Sequence, residues 1–178
     1  MAFPVLETER LKLEEVHYGY TKELYDILGR RDVMKYYGMD PVVSYEETAR
    51  VIEKHRTNYM TCAGIRWVMI QKDTDQCIGT IGLNELRISS RRAETGFEIH
   101  PFFSRQGYGS EALTEVIRYA FDELGLYRIG AVTFPENEAS SRLLQKCGFR
   151  FEGTLRGYLY QRGESHDAHI YSILRSDT

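Results

Sequence analysis

Apolar residues recur along this chain at two spacings, every second position and every three to four, and the switch between them marks out the elements. Leu6 to Val16 (LETERLKLEEV) alternates apolar and charged residues loosely and predicts an opening strand. A short helix is expected over Thr21 to Leu28, stopped at Gly29, with Arg30 to Asp40 as an irregular loop. In SYEETARVIEKH, Ser44 and Glu47 form a capping box while Ala49, Ile52 and His55 recur at helical spacing, so a helix runs from about Tyr45 to Asn58. The period then shortens. Trp67 to Gln71 and Cys77 to Leu83 (CIGTIGL) are β-rich runs around the polar Lys72 to Gln76, which predicts a hairpin. Arg92 to His100 is a further strand, with Glu94, Gly96 and Glu98 on one face and Thr95, Phe97 and Ile99 on the other.

After Pro101 the helical spacing returns at its strongest. Ser110 to Leu124 places Leu113, Val116, Ile117, Ala120, Phe121 and Leu124 on one stripe, and Gly125 closes it. Tyr127 to Phe134 (YRIGAVTF) reads as a buried strand and Glu138 to Lys146 as a short helix stopped by Cys147-Gly148. Arg150 to Tyr160 and Ala168 to Leu174 form a closing strand pair around Gln161 to Asp167. This order predicts an α+β fold, a single mixed, mostly antiparallel sheet flanked by helices. No linker or internal repeat interrupts it, so residues 1–178 are expected to form one domain.

Composition narrows the class. With 42% hydrophobic and 28% charged residues the chain is neither disordered nor fibrous. A net charge of -3, from 23 basic against 26 acidic residues, sets up no field that would draw it onto nucleic acid. No apolar run approaches the roughly 18 residues of a membrane helix, and Met1 to Arg10 has no secretory core, so a cytoplasmic address away from the membrane is expected. Cys62, Cys77 and Cys147 share no close spacing, which suggests buried thiols rather than disulfides or a zinc site. His166 and His169 would point to opposite faces of a strand, and no metal is expected.

The sharpest local feature is Ser104-Arg105-Gln106-Gly107-Tyr108-Gly109-Ser110. Two glycines just before the best helix let the backbone turn tightly, and the free amides and dipole of the helix start favour phosphate oxygens. Gly107-x-Gly109-x-x-Ala112 also satisfies a relaxed dinucleotide fingerprint, but Pro101 to Gln106 separates it from the preceding strand and no acidic residue follows near Tyr127. No Gly-Lys-Ser/Thr occurs, which excludes a Walker loop.

Asn137 to Phe149 (NEASSRLLQKCGF) resembles the Asn-x-x-Ser … Lys-x-Gly-Phe segment of the GNAT superfamily of acyl-CoA-dependent N-acetyltransferases, in its RimJ/RimL ribosomal-protein N-terminal acetyltransferase branch. SRQGYGSEAL resembles the pyrophosphate loop of that superfamily. LETERLKL, GTIGL, AETGFEIHP and FEGTLRGYLYQRGESHDAHIYSIL extend the likeness over nearly the whole chain, in order.

The resemblance implies a GNAT-like acyl-CoA N-acyltransferase fold that takes acetyl-CoA as cosubstrate and uses no metal. Backbone amides of Arg105, Gln106, Gly107, Tyr108, Gly109 and Ser110 would hold the cofactor. The strand Arg92 to His100 would splay from Tyr127 to Phe134, leaving donors near Phe97, Glu98 and Ile99 for the thioester and pantetheine arm. Asn137 and Ser140 would order the cofactor and hydrogen-bond to sulfur, with a cap of the Glu138 to Lys146 helix as the alternative role of Ser140, and Glu94 would be the base, with Glu85 and Glu98 as weaker rivals and ordered water as the alternative. Ser104 stands where Gln or Arg is common in the superfamily, and Leu144 where many members have a tyrosine acid, which leaves Ser140 as the substitute. Tyr36, Tyr37, Tyr158 and Tyr160 are candidates to line an acceptor cleft.

The activity so implied is direct transfer of acetyl from acetyl-CoA to a primary amine in a ternary complex. A protein N-terminal α-amine, such as that of a ribosomal protein, is the favoured acceptor, and the enzyme would be a monomer or homodimer. Two alternatives stand beside it: a catalytically weak CoA-binding regulatory module, and an acetyltransferase of small amines such as polyamines, amino sugars or antibiotics.

Overall fold

The computed structural model describes residues 2–178. Its strands are β1 (Leu6–Glu7), β2 (Leu11–Glu15), β3 (Ile65–Gln71), β4 (Gln76–Arg87), β5 (Arg92–Ile99), β6 (Arg128–Thr133), β7 (Arg150–Gln161) and β8 (Glu164–Leu174). They form one sheet in the order β1-β2-β3-β4-β5-β6-β8-β7. Every neighbouring pair is antiparallel except β5 and β6. The helices are α1 (Thr21–Leu28), α2 (Arg31–Met34), α3 (Tyr45–Met60), α4 (Tyr108–Asp122) and α5 (Glu138–Lys146).

Helices on both faces explain why β3 is buried along almost its whole length. Trp67 and Met69 are buried with Leu11, Leu13, Ile81 and the stripe of α4 (Ala112, Leu113, Val116, Ile117, Ala120 and Phe121). Val68 and Ile70, on the opposite face, join Leu24 and Leu28 of α1 and Ile52 of α3. Each fully buried Leu, Ile, Val or Phe contributes roughly 1.5–3 kcal/mol. The α4 stripe alone therefore outweighs any local preference of that segment.

Several boundaries differ from the sequence reading. Leu6 to Val16 is two strands, because residues 8–10 turn and return the chain on itself, pairing Leu6 with Leu13. The loop 30–40 contains α2, anchored by the fully buried Met34. Helix α4 begins two residues earlier than expected, at Tyr108. The last hairpin is longer and its turn shorter: β7 runs through Gln161 and β8 starts at Glu164. Arg162 (φ 56°) and Gly163 (φ 75°) thus make a two-residue turn with both central residues left-handed. Cys62 is exposed, and Cys77 and Cys147 are half-buried rather than buried.

The functional geometry comes from β5 and β6. They pair in parallel only from Arg92 with Arg128 to Thr95 with Ala131. Beyond that, β5 stays paired to β4 as far as Ile99, and β6 stays paired to β8 through Thr133. Held on their outer sides only, the two strands part and open a wedge in the sheet.

Candidate active site

Two cavities meet at this wedge. One, of about 480 Å³, lies against α3 and the end of β4 and is lined by Lys54, His55, Glu85 and Glu94 among others. The second, of about 540 Å³, runs from Phe97, Glu98 and Ile99 to Arg105, Gly107, Gly109 and Ser110 at the start of α4. Phe97, Asn137, Ser140, Tyr36 and Tyr37 line both, so they mark the junction.

At the α4 end the backbone turns tightly, with Arg105 (φ 60°) and Gly107 (φ 85°) both left-handed. Among the described residues, no amide from Arg105 to Ser110 donates to a protein acceptor. Gly109 is buried, and a Cβ there would lie 2.6 Å from Leu143 Cδ1, so α4 and α5 approach through the missing side chain. The side chain of Tyr108 turns inward: its hydroxyl accepts from Gln71 Nε2 at 2.7 Å and its ring lies under Arg10. The side-chain Nε2 of Gln106 donates to the carbonyl of Phe102 at 2.8 Å. These two residues thus face the loop with backbone rather than side chain.

On β5, Glu98 is an interior carboxylate. It accepts from the Thr80 hydroxyl and lies 3.7 Å from Arg66 Nη1. Glu94 behaves differently. Half-buried in the first cavity, its carboxyl is held above the ordinary carboxylate range, chiefly by burial and then by the negative charge of Glu85. Arg92 and Arg128 pull the other way.

Asn137 is the N-cap of α5, with its Oδ1 accepting from the amide of Ser140 at 3.2 Å. Asn137 therefore performs the capping, and Ser140 enters through its backbone. The Ser140 hydroxyl has no hydrogen bond within the described residues and stands at the junction. Leu144, the position where a tyrosine acid is common, is buried in the wall of the first cavity.

Three contributors were not anticipated from the sequence. Arg66, Gly82 and Gly96 are cross-strand partners in one row over β3, β4 and β5, and the Arg66 side chain lies along the trench the two glycines leave. A Cβ on Gly82 would be 3.0 Å from Arg66 Nε. Its Nη1 donates to the Gly96 carbonyl at 2.9 Å, just where the wedge opens. The glycines of GTIGL and AETGF were the available signal, but only the register shows what they make room for. His55, beside that guanidinium, is pushed down to about 3 by burial and then by the charge of Arg66, so it is a neutral imidazole. Gln161, buried at the end of β7, donates to the carbonyls of Met34 (2.7 Å) and Met39 (2.9 Å) and accepts from the amide of Gly38. It thereby holds the segment bearing Tyr36 and Tyr37 over the junction. Tyr158 and Tyr160 are exposed and line neither cavity. No group of three His, Cys, Asp or Glu converges among the described residues. No described helix is long and apolar enough to cross a membrane.

Comparison with known proteins accords with this geometry. The acetyltransferase (GNAT) domain family matches residues 10–150. The chain is 43% identical over 173 residues to the uncharacterized N-acetyltransferase YoaA of Bacillus subtilis, covering 97% of this chain and 98% of that one. It is 34% identical over 134 residues to the putative ribosomal N-acetyltransferase YdaF of Bacillus subtilis, covering 75% and 71% of the two. Among solved structures, spermidine N-acetyltransferase from Vibrio cholerae in complex with CoA and spermine superposes with a TM-score of 0.83 at 25% identity, over 94% of this chain and 97% of that one. A wedge between two parallel strands, a glycine-turned helix start and a family match over most of the length lead to one conclusion: the chain belongs to the GNAT family and is an N-acetyltransferase.

Proposed function

We propose that the 540 Å³ cavity takes acetyl-CoA, that the 480 Å³ cavity takes the acceptor amine, and that acetyl passes directly between them at the junction. The observation that carries this reading is the shared lining: Phe97, Asn137 and Ser140 bound both spaces, so a thioester and an amine entering from opposite sides meet there. The residues fit the cofactor. Amides without internal partners at the start of α4, with Arg105 and Lys146 alongside, suit its phosphates, and the unpaired edge of β5 from Phe97 to Ile99 offers main-chain groups to the pantetheine arm.

Acetyl-CoA supplies an activated acyl carbon and a thiol leaving group, and the chain handles the protons. Glu94, with its raised pKa, accepts a proton from the acceptor ammonium, directly or through water, which frees the nitrogen lone pair. The nitrogen bonds to the acetyl carbon as the carbon–sulfur bond breaks, the free hydroxyl of Ser140 hydrogen-bonds to the departing sulfur, and the proton shed by the nitrogen ends on that sulfur, so that the products are the N-acetyl amine and CoA thiol. Asn137 keeps the first turn of α5 in place behind it.

The acceptor we favour is a protein N-terminal α-amine. Leu159 of the edge strand β7 lines the acceptor cavity, which gives an extended peptide an apolar wall beside unpaired strand edge. A second reading, a small polycationic amine, is favoured by the neighbouring carboxylates of Glu85 and Glu94. CoA-thiol release with acetyl-CoA against a panel of peptides with free N-termini and a panel of alkyl polyamines separates the two. Higher kcat/KM on peptides supports the first and on polyamines the second. CoA binding without turnover on either panel would point to a regulatory module instead.

A further inference from the structure

We propose that Arg10, in the turn between β1 and β2, is a positioning residue for acetyl-CoA: it aims the amides of the 105–110 loop, with Glu111 holding it in place. The inference rests on the cofactor reading above. Arg10 Nη1 donates to the carbonyl of Gln106 at 3.0 Å, and its Nε donates to Glu111 Oε2 at 2.7 Å. The other oxygen of Glu111 accepts from the backbone amide of Arg10 at 2.8 Å and from the Thr8 hydroxyl at 2.5 Å. The guanidinium also lies 4.2 Å from the centroid of the Tyr108 ring. Thr8-Glu9-Arg10 is thus bound to α4 and its loop across about a hundred residues of sequence.

Geometry shows what this clamp does. Gln106 sits between two left-handed residues, Arg105 and Gly107. A peptide unit is planar and trans, so its carbonyl and the following N–H point in opposite directions. Fixing the Gln106 carbonyl on Arg10 therefore turns the Gly107 N–H away from Arg10. Gly107 borders the 540 Å³ cavity and Arg10 does not, so the guanidinium acts through the peptide plane rather than by touching a ligand there. Gly107 is left-handed (φ 85°), which favours glycine, and a Cβ there would lie 3.2 Å from Arg10 Nη2, so a side chain at this position presses on the clamp.

Aiming and simple charge attraction predict opposite signs at Glu111. Removing its negative charge close to bound phosphates should tighten CoA if electrostatics dominate, and weaken it if Glu111 works by holding Arg10. The measurements are calorimetric Kd for CoA and steady-state KM for acetyl-CoA on wild type, Arg10→Ala, Arg10→Lys, Glu111→Gln and Gly107→Val. Arg10→Lys keeps the charge but cannot span Gln106 and Glu111 together. We expect Arg10→Lys and Glu111→Gln to weaken CoA about five- to tenfold, roughly 1–1.4 kcal/mol, with kcat and the KM for the amine within about twofold.

Tighter CoA binding by Glu111→Gln, or wild-type affinity in Arg10→Lys, would overturn the proposal. Should Arg10→Ala fail to fold by circular dichroism, Arg10→Lys and Glu111→Gln still decide. Wild-type protein without affinity for CoA would refute the cofactor reading. Affinity lost in Gly107→Val but kept in the Arg10 and Glu111 variants would refute only the clamp.

Discussion

Replacing Gly107 by alanine tests the loop with a magnitude the backbone supplies. Gly107 has φ 85° and ψ -2°, the left-handed conformation, at the N-cap of α4. An L-residue there costs roughly 1–2 kcal/mol, and the new methyl also crowds the Arg10 guanidinium. The loop can escape the strain by relaxing, which turns its amides away from the cleft. The same free energy then appears as lost ligand affinity, about 5- to 30-fold. Gly125→Ala is the control: it too is left-handed (φ 66°), a Cβ there meets nothing within 4 Å, and it lies beyond the far end of α4. The control should lose about 2–4 °C in Tm for each kcal/mol and bind CoA as wild type does. Calorimetric titration with CoA and thermal unfolding of the three proteins make the comparison. Gly107→Ala with wild-type affinity and a Tm loss equal to that of Gly125→Ala would show that the orientation of these amides does not matter to the ligand.

Asn137→Ala should lower stability by about 1 kcal/mol through loss of the α5 cap. Ser140→Ala keeps that cap, because only its amide is used, and should melt like wild type while turnover falls more than acetyl-CoA affinity. A Ser140→Ala protein with full turnover would leave the proton donor to another group. Glu94→Gln should lose activity yet gain stability at neutral pH. A carboxyl whose folded pKa is raised contributes stability at low pH and loses it as pH rises through that pKa, so removing the charge relieves the fold. The activity loss should be small for an α-amine acceptor, with pKa near ~7.7, and large for an alkyl amine near ~10.4. Equal pH–rate profiles of Glu94→Gln and wild type on both would remove Glu94 from catalysis. The Glu152 carboxyl is pulled down to about 2, first by hydrogen bonds from Arg128 and then by Ser172. Its contribution to stability is present above the ordinary Glu pKa near ~4.3 and is lost as pH falls toward 2. Glu152→Gln should flatten that part of the acid-unfolding curve measured by circular dichroism.

Local physics was legible in the sequence. The stripe of α4, the Ser44 cap of α3, whose hydroxyl accepts from the Glu47 amide, and the Gly125 stop all depend on residues within a few positions of one another. So does the glycine-turned start of α4, the loop proposed here to hold acetyl-CoA. Motif order did the same for family membership, since the residues that carry it recur along the chain rather than across it.

What depended on distant residues was hidden. Arg10 and Glu111 are separate in sequence, and neither has a local pattern announcing the other. Arg66 became a strut of the wedge only because register sets Gly82 and Gly96 beside it. Helix α2 leaves no signature in the sequence because four residues are too few to show a period, and it is held by one buried methionine and by the reach of Gln161 from the far end of the sheet. The wedge itself lies in no residue. It exists because β5 and β6 are each held by an outer neighbour and part beyond Thr95, a balance between three strand pairings. Periodicity, capping and turn chemistry are short-range free energies that a sequence displays directly. Register, burial and the orientation of a peptide plane arise from contacts that form only when the chain closes on itself.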